Sequence, residues 1–223
     1  MDHVTTRRTA LHPAASEDDR AFIHRVLTDP ANSAPFVWHG STPGQDTLLA
    51  ELEPASLALH IVRARRSDRQ IGVVMLTNPN LRDGHGFLTV AADPTAKGRG
   101  LAIEGLIGLI HLAFSSWPFF KLYADVDDVA LGAFGSAVGR YLTPEGRFRG
   151  HHVREGRRVD VHRLALYRST WESRQALVQQ TMQVQLPDRP THPARPQQTL
   201  WTEPATGDSP ASALRRGQGR QSG

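Results

Sequence analysis

The chain has 223 residues, 39% of them hydrophobic and 22% charged, with a formal net charge of +4 and no cysteine. That apolar content supports one core of roughly 150–200 residues, hence one domain. The missing cysteines exclude a disulfide scaffold, a thiolate-ligated metal and covalent catalysis through sulfur. Six arginines face three acids in residues 174–223, against twenty basic and nineteen acidic groups before them. With the body nearly neutral, nucleic acid is not the expected partner. The stretch MDHVTTRRTALHPAASEDD has no apolar run of the kind a signal peptide needs, and residues 101–114, interrupted by Glu104 and His111, are too short to span a bilayer. The expectation is a cytoplasmic protein with no membrane partner.

The elements follow in chain order. After an opening strand, Ser16 and Asp19 suit a capping box for a helix whose Phe22, Ile23, Val26 and Leu27 share one face. A loop rich in Pro, Gly and Ser runs to Gly44, and residues 47–52 form a short second helix before Pro54. Strands follow at 57–63, 71–77 and 86–91, the last two separated by the turn-forming NPNLRDGHG. A helix over 100–114 places Leu101, Ile103, Leu106, Ile107, Ile110, Ala113 and Phe114 at helical spacing. A strand at 120–126, a helix at 129–140 and two strands around the turn REGR (154–157) close the body. The pattern β-α-α-β-β-β-α-β-α-β-β is that of one α+β domain. From Arg174 the composition changes to six prolines and nine glutamines, which predicts a disordered tail over 174–223, its first residues able to extend a final helix by a turn or two.

The segment that carries chemistry is FLTVAADPTAKGRGLAIEGLIGLIHLAF, residues 87–114. A strand enters a turn at Asp93-Pro94, and a glycine-containing loop then opens a long helix. Glycines let a backbone approach a ligand closely, and the first-turn amides of a helix point unpaired beyond its N-terminus. Lys97 and Arg99 add positive charge there, so the loop is a candidate phosphate cradle. A glycine-rich helix start with surface basic residues is the plainer reading of the same letters.

Lys97-Gly98-Arg99-Gly100-Leu101-Ala102 resembles the acyl-CoA pyrophosphate loop of the Gcn5-related N-acetyltransferases, R/Q-x-x-G-x-G/A, with Lys97 in the Arg/Gln position and Ala102 in the last. Val90-Ala91-Ala92-Asp93-Pro94 is similar to that family's strand beside the pantetheine arm. WPFFKLYADV (117–126), EGRFRGHHV (145–153), GRRVDVHRLAL (156–166) and YRSTW (167–171) stand in the order and spacing of its RimJ/RimL-like branch. The resemblance covers residues 5–173. It implies a mixed central β-sheet with splayed middle strands flanked by helices, and a homodimer as a common assembly. The function it implies is direct transfer of an acetyl group from acetyl-CoA, as co-substrate, to a primary amine, without a metal. It places Val90, Ala91 and Ala92 at the thioester carbonyl, and Lys97, Gly98, Arg99, Gly100, Leu101, Ala102 and Ile103 at the pyrophosphate. The branch's asparagine after the strand ending near Val126 is missing, since that stretch reads DDVALGAFGS with Ala130 or a neighbour in its place.

Direct transfer needs little from side chains: somewhere for the amine proton to go, donors at the carbonyl, and a proton for the departing thiolate. Glu145 is a candidate base, or else a structural carboxylate paired with Arg147 or Arg149. Asp125 and Asp127 are placed to recognise or deprotonate an amine, or serve ordinary loop roles. Ser136 resembles the branch's helix serine that protonates the sulfur, or is a plain surface serine. His85 is a candidate at the acceptor, or a solvated turn histidine. Trp38, in the loop 36–46, lines the acceptor pocket or caps the core edge. The acceptor is a small-molecule amine or a protein N-terminus. A competing reading is a non-catalytic CoA-binding regulatory or RNA-contacting module that uses the basic hairpin 147–163 and the tail. His151, His152 and His162 show no spacing that supports a metal site.

Overall fold

The computed structural model of the chain describes residues 3–32, 42–96 and 100–187. In chain order these form β1 (Val4–Thr5), β2 (Thr9–Pro13), α1 (Glu17–Thr28), α2 (Gln45–Ala55), β3 (Ser56–Ala64), β4 (Gln70–Asn80) and β5 (His85–Ala92). A single 3-10 turn at Pro94–Ala96 precedes α3 (Leu101–Ser116), β6 (Lys121–Asp127), α4 (Asp128–Phe134), β7 (Thr143–Arg154), β8 (Arg157–Tyr167) and α5 (Arg168–Met182). The strands make one sheet in the order β1-β2-β3-β4-β5-β6-β8-β7. Every neighbouring pair is antiparallel except β5 and β6, which run parallel because α3 carries the chain across between them.

Strand periodicity sorts the apolar residues onto two faces. Ala58 and Val62 of β3, Val74 and Leu76 of β4, Leu88 of β5 and Leu122 of β6 pack with Leu109, Ile110, Ala113 and Phe114 of α3. On the other face Ile61, Val73, Met75 and Ala91 meet Phe22, Ile23, Val26 and Leu27 of α1 and Leu48, Leu49 and Leu52 of α2. Helices α1 and α2 therefore cover β3, β4 and the end of β5, and the apolar cover on that face does not extend to β6 and β8. α3 lies tight against β3: a Cβ on Gly105 would fall 2.5 Å from Val62. The capping box forms as expected. Ser16 Oγ accepts from Asp19 N (3.1 Å), and Asp19 accepts in return from Ser16 N (3.2 Å).

The described body continues past residue 173. Trp171, Val178, Met182, Val184 and Leu186 pack on the α3 core, and Gln185 bridges to Thr5 of β1, so residues 174–187 are ordered by burial that composition alone did not reveal. Residues 188–223, the rest of the expected tail, lie outside the described residues. The helix expected over 129–140 stops at Phe134, because Gly132, Gly135 and Gly139 fall within eight residues and weaken a helix. Ser136 consequently stands in an exposed turn after α4, not on a helix. Pro54, expected to follow α2, sits inside its last turn. Among the described residues no helix is long and apolar enough to cross a membrane.

Candidate active site

β5 and β6 are partners only at His85↔Lys121, Gly86↔Leu122 and Phe87↔Tyr123. Beyond Phe87, β5 keeps pairing with β4 as far as Ala92, and β6 keeps pairing with β8 as far as Asp127. The two strands thus diverge inside one sheet. Among the described residues, 88–92 and 124–127 pair with no strand across the opening. Unpaired strand edges of this kind are ready acceptors for an extended, amide-bearing ligand.

The end of β5 is held from several sides. Asn32 Nδ2 donates to Ala92 O and to Val26 O, both at 2.9 Å. Asp93 N donates to Ile71 O (2.8 Å), and the Asp93 carboxylate, only 3% exposed, accepts from Thr95 N (2.9 Å), Thr95 Oγ1 (2.9 Å) and Arg25 (3.4 Å). Burial pushes the Asp93 carboxyl up, but the Thr95 and Arg25 bonds outweigh it and hold it below its ordinary value.

Just beyond this anchor, α3 starts at Gly100, whose φ of +63° is the left-handed conformation that favours glycine. Among the described residues no side chain caps the helix, so the amides of Leu101, Ala102 and Ile103 carry the positive end of α3 outward. A Cβ on Gly100 would meet nothing within 4 Å, which leaves open space at the helix mouth. Glu104, the one acid of the first turn, is directed away from that mouth. It is 1% exposed and accepts from Thr6 Oγ1 (2.7 Å), Arg8 N (2.7 Å) and Arg8 Nε (2.5 Å).

The sheet face that α1 and α2 leave open carries the polar groups. Tyr123 and Asp125 share that face of β6; the rings of Phe87 and Tyr123 lie 5.3 Å apart. Arg163, the register partner of Asp125, donates Nε (2.9 Å) and Nη2 (2.7 Å) to its two carboxylate oxygens. The same guanidinium lies 4.9 Å from the Phe87 ring centroid, 5.1 Å from Phe148 and 5.5 Å from Tyr123. At the paired end of the strands, Glu145 accepts from Lys121 Nζ (2.8 and 3.0 Å), from Tyr123 OH (3.0 Å) and from Tyr167 OH. The Lys121 ammonium, and after it Tyr167, hold the Glu145 carboxyl below the usual carboxylate range, while Glu145 raises both Lys121 and Tyr167. His85 lies edge-on to Tyr123 at 5.8 Å.

The structure therefore brings Val90, Ala91, Ala92, Gly100, Leu101, Ala102 and Ile103 to one end of the opening, and Glu145, Asp125 and His85 to the open face. Glu145 does not pair with Arg147 or Arg149 as the sequence suggested. Arg147 goes to Asp160 (2.6 Å), and the partners of Glu145 come from β6 and β8. Asp127 is buried, caps α4 through Ala130 N (2.7 Å) and accepts from Arg154 (2.8 Å), which makes it structural. Ser136 lies in the exposed turn after α4 and is not among the residues of this group. Lys97, Gly98, Arg99 and Trp38 lie outside the described residues. Sequence reasoning missed Lys121, Tyr123 and Tyr167 and placed Arg163 only in the basic hairpin; these residues alternate along two strands and show their shared face only once β6 and β8 are paired in register.

No family model matches the chain, and no curated protein does. Solved structures do. A spermidine N-acetyltransferase from Vibrio cholerae, in complex with CoA and spermine, superposes with a TM-score of 0.61 at 21% identity, over 74% of this chain and 98% of that one. A GCN5-related N-acetyltransferase from Brucella melitensis gives a TM-score of 0.59 at 19% identity, over 80% of this chain and 84% of that one. At such identities the likeness establishes the fold, which is the mixed sheet with splayed middle strands that the sequence implied.

Proposed function

We propose that the chain is an acyl-CoA-dependent N-acyltransferase that moves an acetyl group directly from acetyl-CoA to a primary amine. The acceptor is a small-molecule amine, or a protein N-terminal amine in the RimJ/RimL-like branch whose motif order the sequence follows. One observation carries the reading: a parallel strand pair opens after three register partners, with an uncapped, glycine-led helix N-terminus at the open end. The Vibrio and Brucella proteins of the same fold, both acetyltransferases by name, support it.

The amides of Leu101, Ala102 and Ile103, with Gly100 and the adjoining Lys97, Gly98 and Arg99, hold the pyrophosphate by hydrogen bonds and the helix dipole. The backbone edge at 90–92, where Asn32 already occupies Ala92 O, aligns the pantetheine arm and polarises the carbonyl through its N–H groups. When bound, acetyl-CoA supplies a thioester: the amine nitrogen bonds to its carbonyl carbon, the carbon–sulfur bond breaks, and the amine proton reaches the thiolate through water. Asp125 lies two residues past the last parallel pair, with its side chain 32% exposed. Arg163 fixes its orientation with one bond to each oxygen, leaving a lone pair on each for an ammonium. Glu145, already accepting from three side chains and shifted away from protonation, orients Tyr123 and Lys121 and is a positioning residue. With Ser136 in an exposed turn, water serves as proton donor to the sulfur.

The RNA-contacting alternative is not favoured. Four arginines of its hairpin have acceptors within the fold: Arg147 on Asp160, Arg154 on Asp127, Arg158 on Gly150 O and Arg163 on Asp125. The test is release of free CoA thiol from acetyl-CoA over a panel of polyamines, amino-acid amides and short peptides. Turnover with at least one amine is expected. CoA binding without turnover on any of them would replace this reading with the non-catalytic module.

A further inference from the structure

On the open face of β6 and β8 each carboxylate has a cation of its own: Asp125 is bonded to Arg163, and Glu145 to Lys121. An acceptor carrying several ammonium groups gains no net attraction from such pairs, and the two cations repel its second charge. The pairs differ in what they leave unused. Glu145 already accepts from Lys121, Tyr123 and Tyr167. The side chains of Asp125 and Arg163 hydrogen-bond only with each other among the described residues. Nε and Nη2 of the guanidinium go to the two carboxylate oxygens, and Nη1 is left without an acceptor. Both side chains are 32% exposed, so a spare acceptor and a spare donor stand side by side where β6 leaves β5. The guanidinium also lies over the rings of Phe87, Tyr123 and Phe148, which leaves its planar edge for hydrogen bonds. Phe148, on the edge strand β7, remains 39% exposed and adds an apolar surface beside the pair.

These groups together match a zwitterion. We propose that the acceptor at this site is a free α-amino acid with an apolar side chain, its amine held by Asp125, its carboxylate by Arg163 Nη1 and its side chain by Phe148. The transfer to it rests on the acyltransferase reading; the binding does not. A peptide N-terminus carries an amide in place of the carboxylate, and a polyamine a second cation, so both leave Nη1 without a charged partner. The nitrogen bonds to the thioester carbon, the carbon–sulfur bond breaks, and the nitrogen's proton ends on the thiolate. The product is an N-acetylamino acid, which has lost the charge that Asp125 holds and so leaves more readily.

The experiment is calorimetric titration of the full chain, with and without CoA, using L-phenylalanine, its amide and 2-phenylethylamine, alongside acetyl-transfer rates on the same three compounds. They share an amine and a ring and differ at the carboxylate. Wild type should bind and use phenylalanine at least about tenfold better than the other two, the scale of one charge-assisted bond. Arg163→Gln should abolish that preference, whatever the freed Asp125 does to the overall rate. Phe148→Ala keeps both charges and should weaken phenylalanine while leaving free alanine unchanged. The wild-type comparison needs no variant and decides the matter even where one does not fold. No binding of phenylalanine, or an equal or greater preference for the amide or the amine, would overturn the inference; turnover of those amines would still leave the acyltransferase reading intact. Phenylalanine bound through Arg163 but never acetylated would sink the acyltransferase reading and leave the zwitterion site standing.

Discussion

Replacing Glu104 by glutamine keeps the side chain's shape and removes its charge at the point where α3 is fastened to the β1–β2 turn. The carboxylate accepts from Thr6 Oγ1 and Arg8 N at one oxygen and from Arg8 Nε at the other, all within 2.7 Å, and it is 1% exposed. An amide has one oxygen, so whichever way it turns, at least one of these donors faces an NH2 group. Losing a hydrogen bond to a charged group costs about 1.5–3 kcal/mol, and losing a first-turn acid costs about 0.3–1 kcal/mol more. The sum is about 3 kcal/mol, or about 6–12 °C in Tm for a body of this size. Burial pushes the Glu104 carboxyl up, but Thr6 and Arg8 outweigh it and hold it below its ordinary value. A depressed carboxyl contributes its stability above the unfolded value and loses it as pH falls through the folded one. Urea unfolding followed by circular dichroism should therefore show the full difference at pH 7 and a shrinking one below about pH 4. A difference under about 1 kcal/mol at pH 7, or one that does not shrink in acid, would refute the reasoning.

Arg168 donates to three carbonyls that close the end of α3, Phe114 O, Trp117 O and Phe119 O, each at 2.7 Å. Arg168→Ala should cost about 2–4 kcal/mol in thermal or urea unfolding; a loss within 0.5 kcal/mol, the scale of an ordinary surface change, would count against that role. His60 is held neutral by burial, and then by His3 and His12, which lower it to about 4. Such a histidine contributes its stability above about pH 6.5 and loses up to about 3 kcal/mol as pH falls to about 4. A His60→Phe variant should lose less Tm than wild type between pH 7.5 and 4.5, and parallel curves would speak against it. Glu145→Gln should lower kcat/KM by no more than about tenfold and leave the acid limb of the pH–rate profile in place; a loss above about a hundredfold with a shifted limb would make Glu145 the base after all.

Much of the fold was legible because local signals agreed with the tertiary arrangement. Ser16 and Asp19 announce α1, the apolar spacing from Leu101 onward announces α3, and the two late strands bracket an evident turn. The misses have physical causes. Gly132 and Gly135 end α4 early although Val129, Leu131 and Phe134 suggest continuity. Residues 174–187 look like tail by composition, yet Val178, Met182, Val184 and Leu186 find a partner surface on α3. The site divides in the same way. Its helix start is contiguous in sequence and stands out as a motif, whereas Lys121, Tyr123, Arg163, Tyr167 and Glu145 come together only through strand register.

The central claim is that the N-terminus of α3 and the strand opening beside it hold acyl-CoA. The most direct test is the thermal shift produced by acetyl-CoA in wild type and in Gly100→Glu. The new carboxylate stands at the helix mouth, where a Cβ meets nothing within 4 Å, and the φ of +63° makes some intrinsic destabilisation expected. The comparison is therefore between ligand-induced increments. A ligand at about 100 times its Kd adds about 2.7 kcal/mol, or about 5–10 °C here. The account predicts that rise in wild type and its disappearance in Gly100→Glu. No rise in wild type, or an equal rise in both proteins, would contradict it.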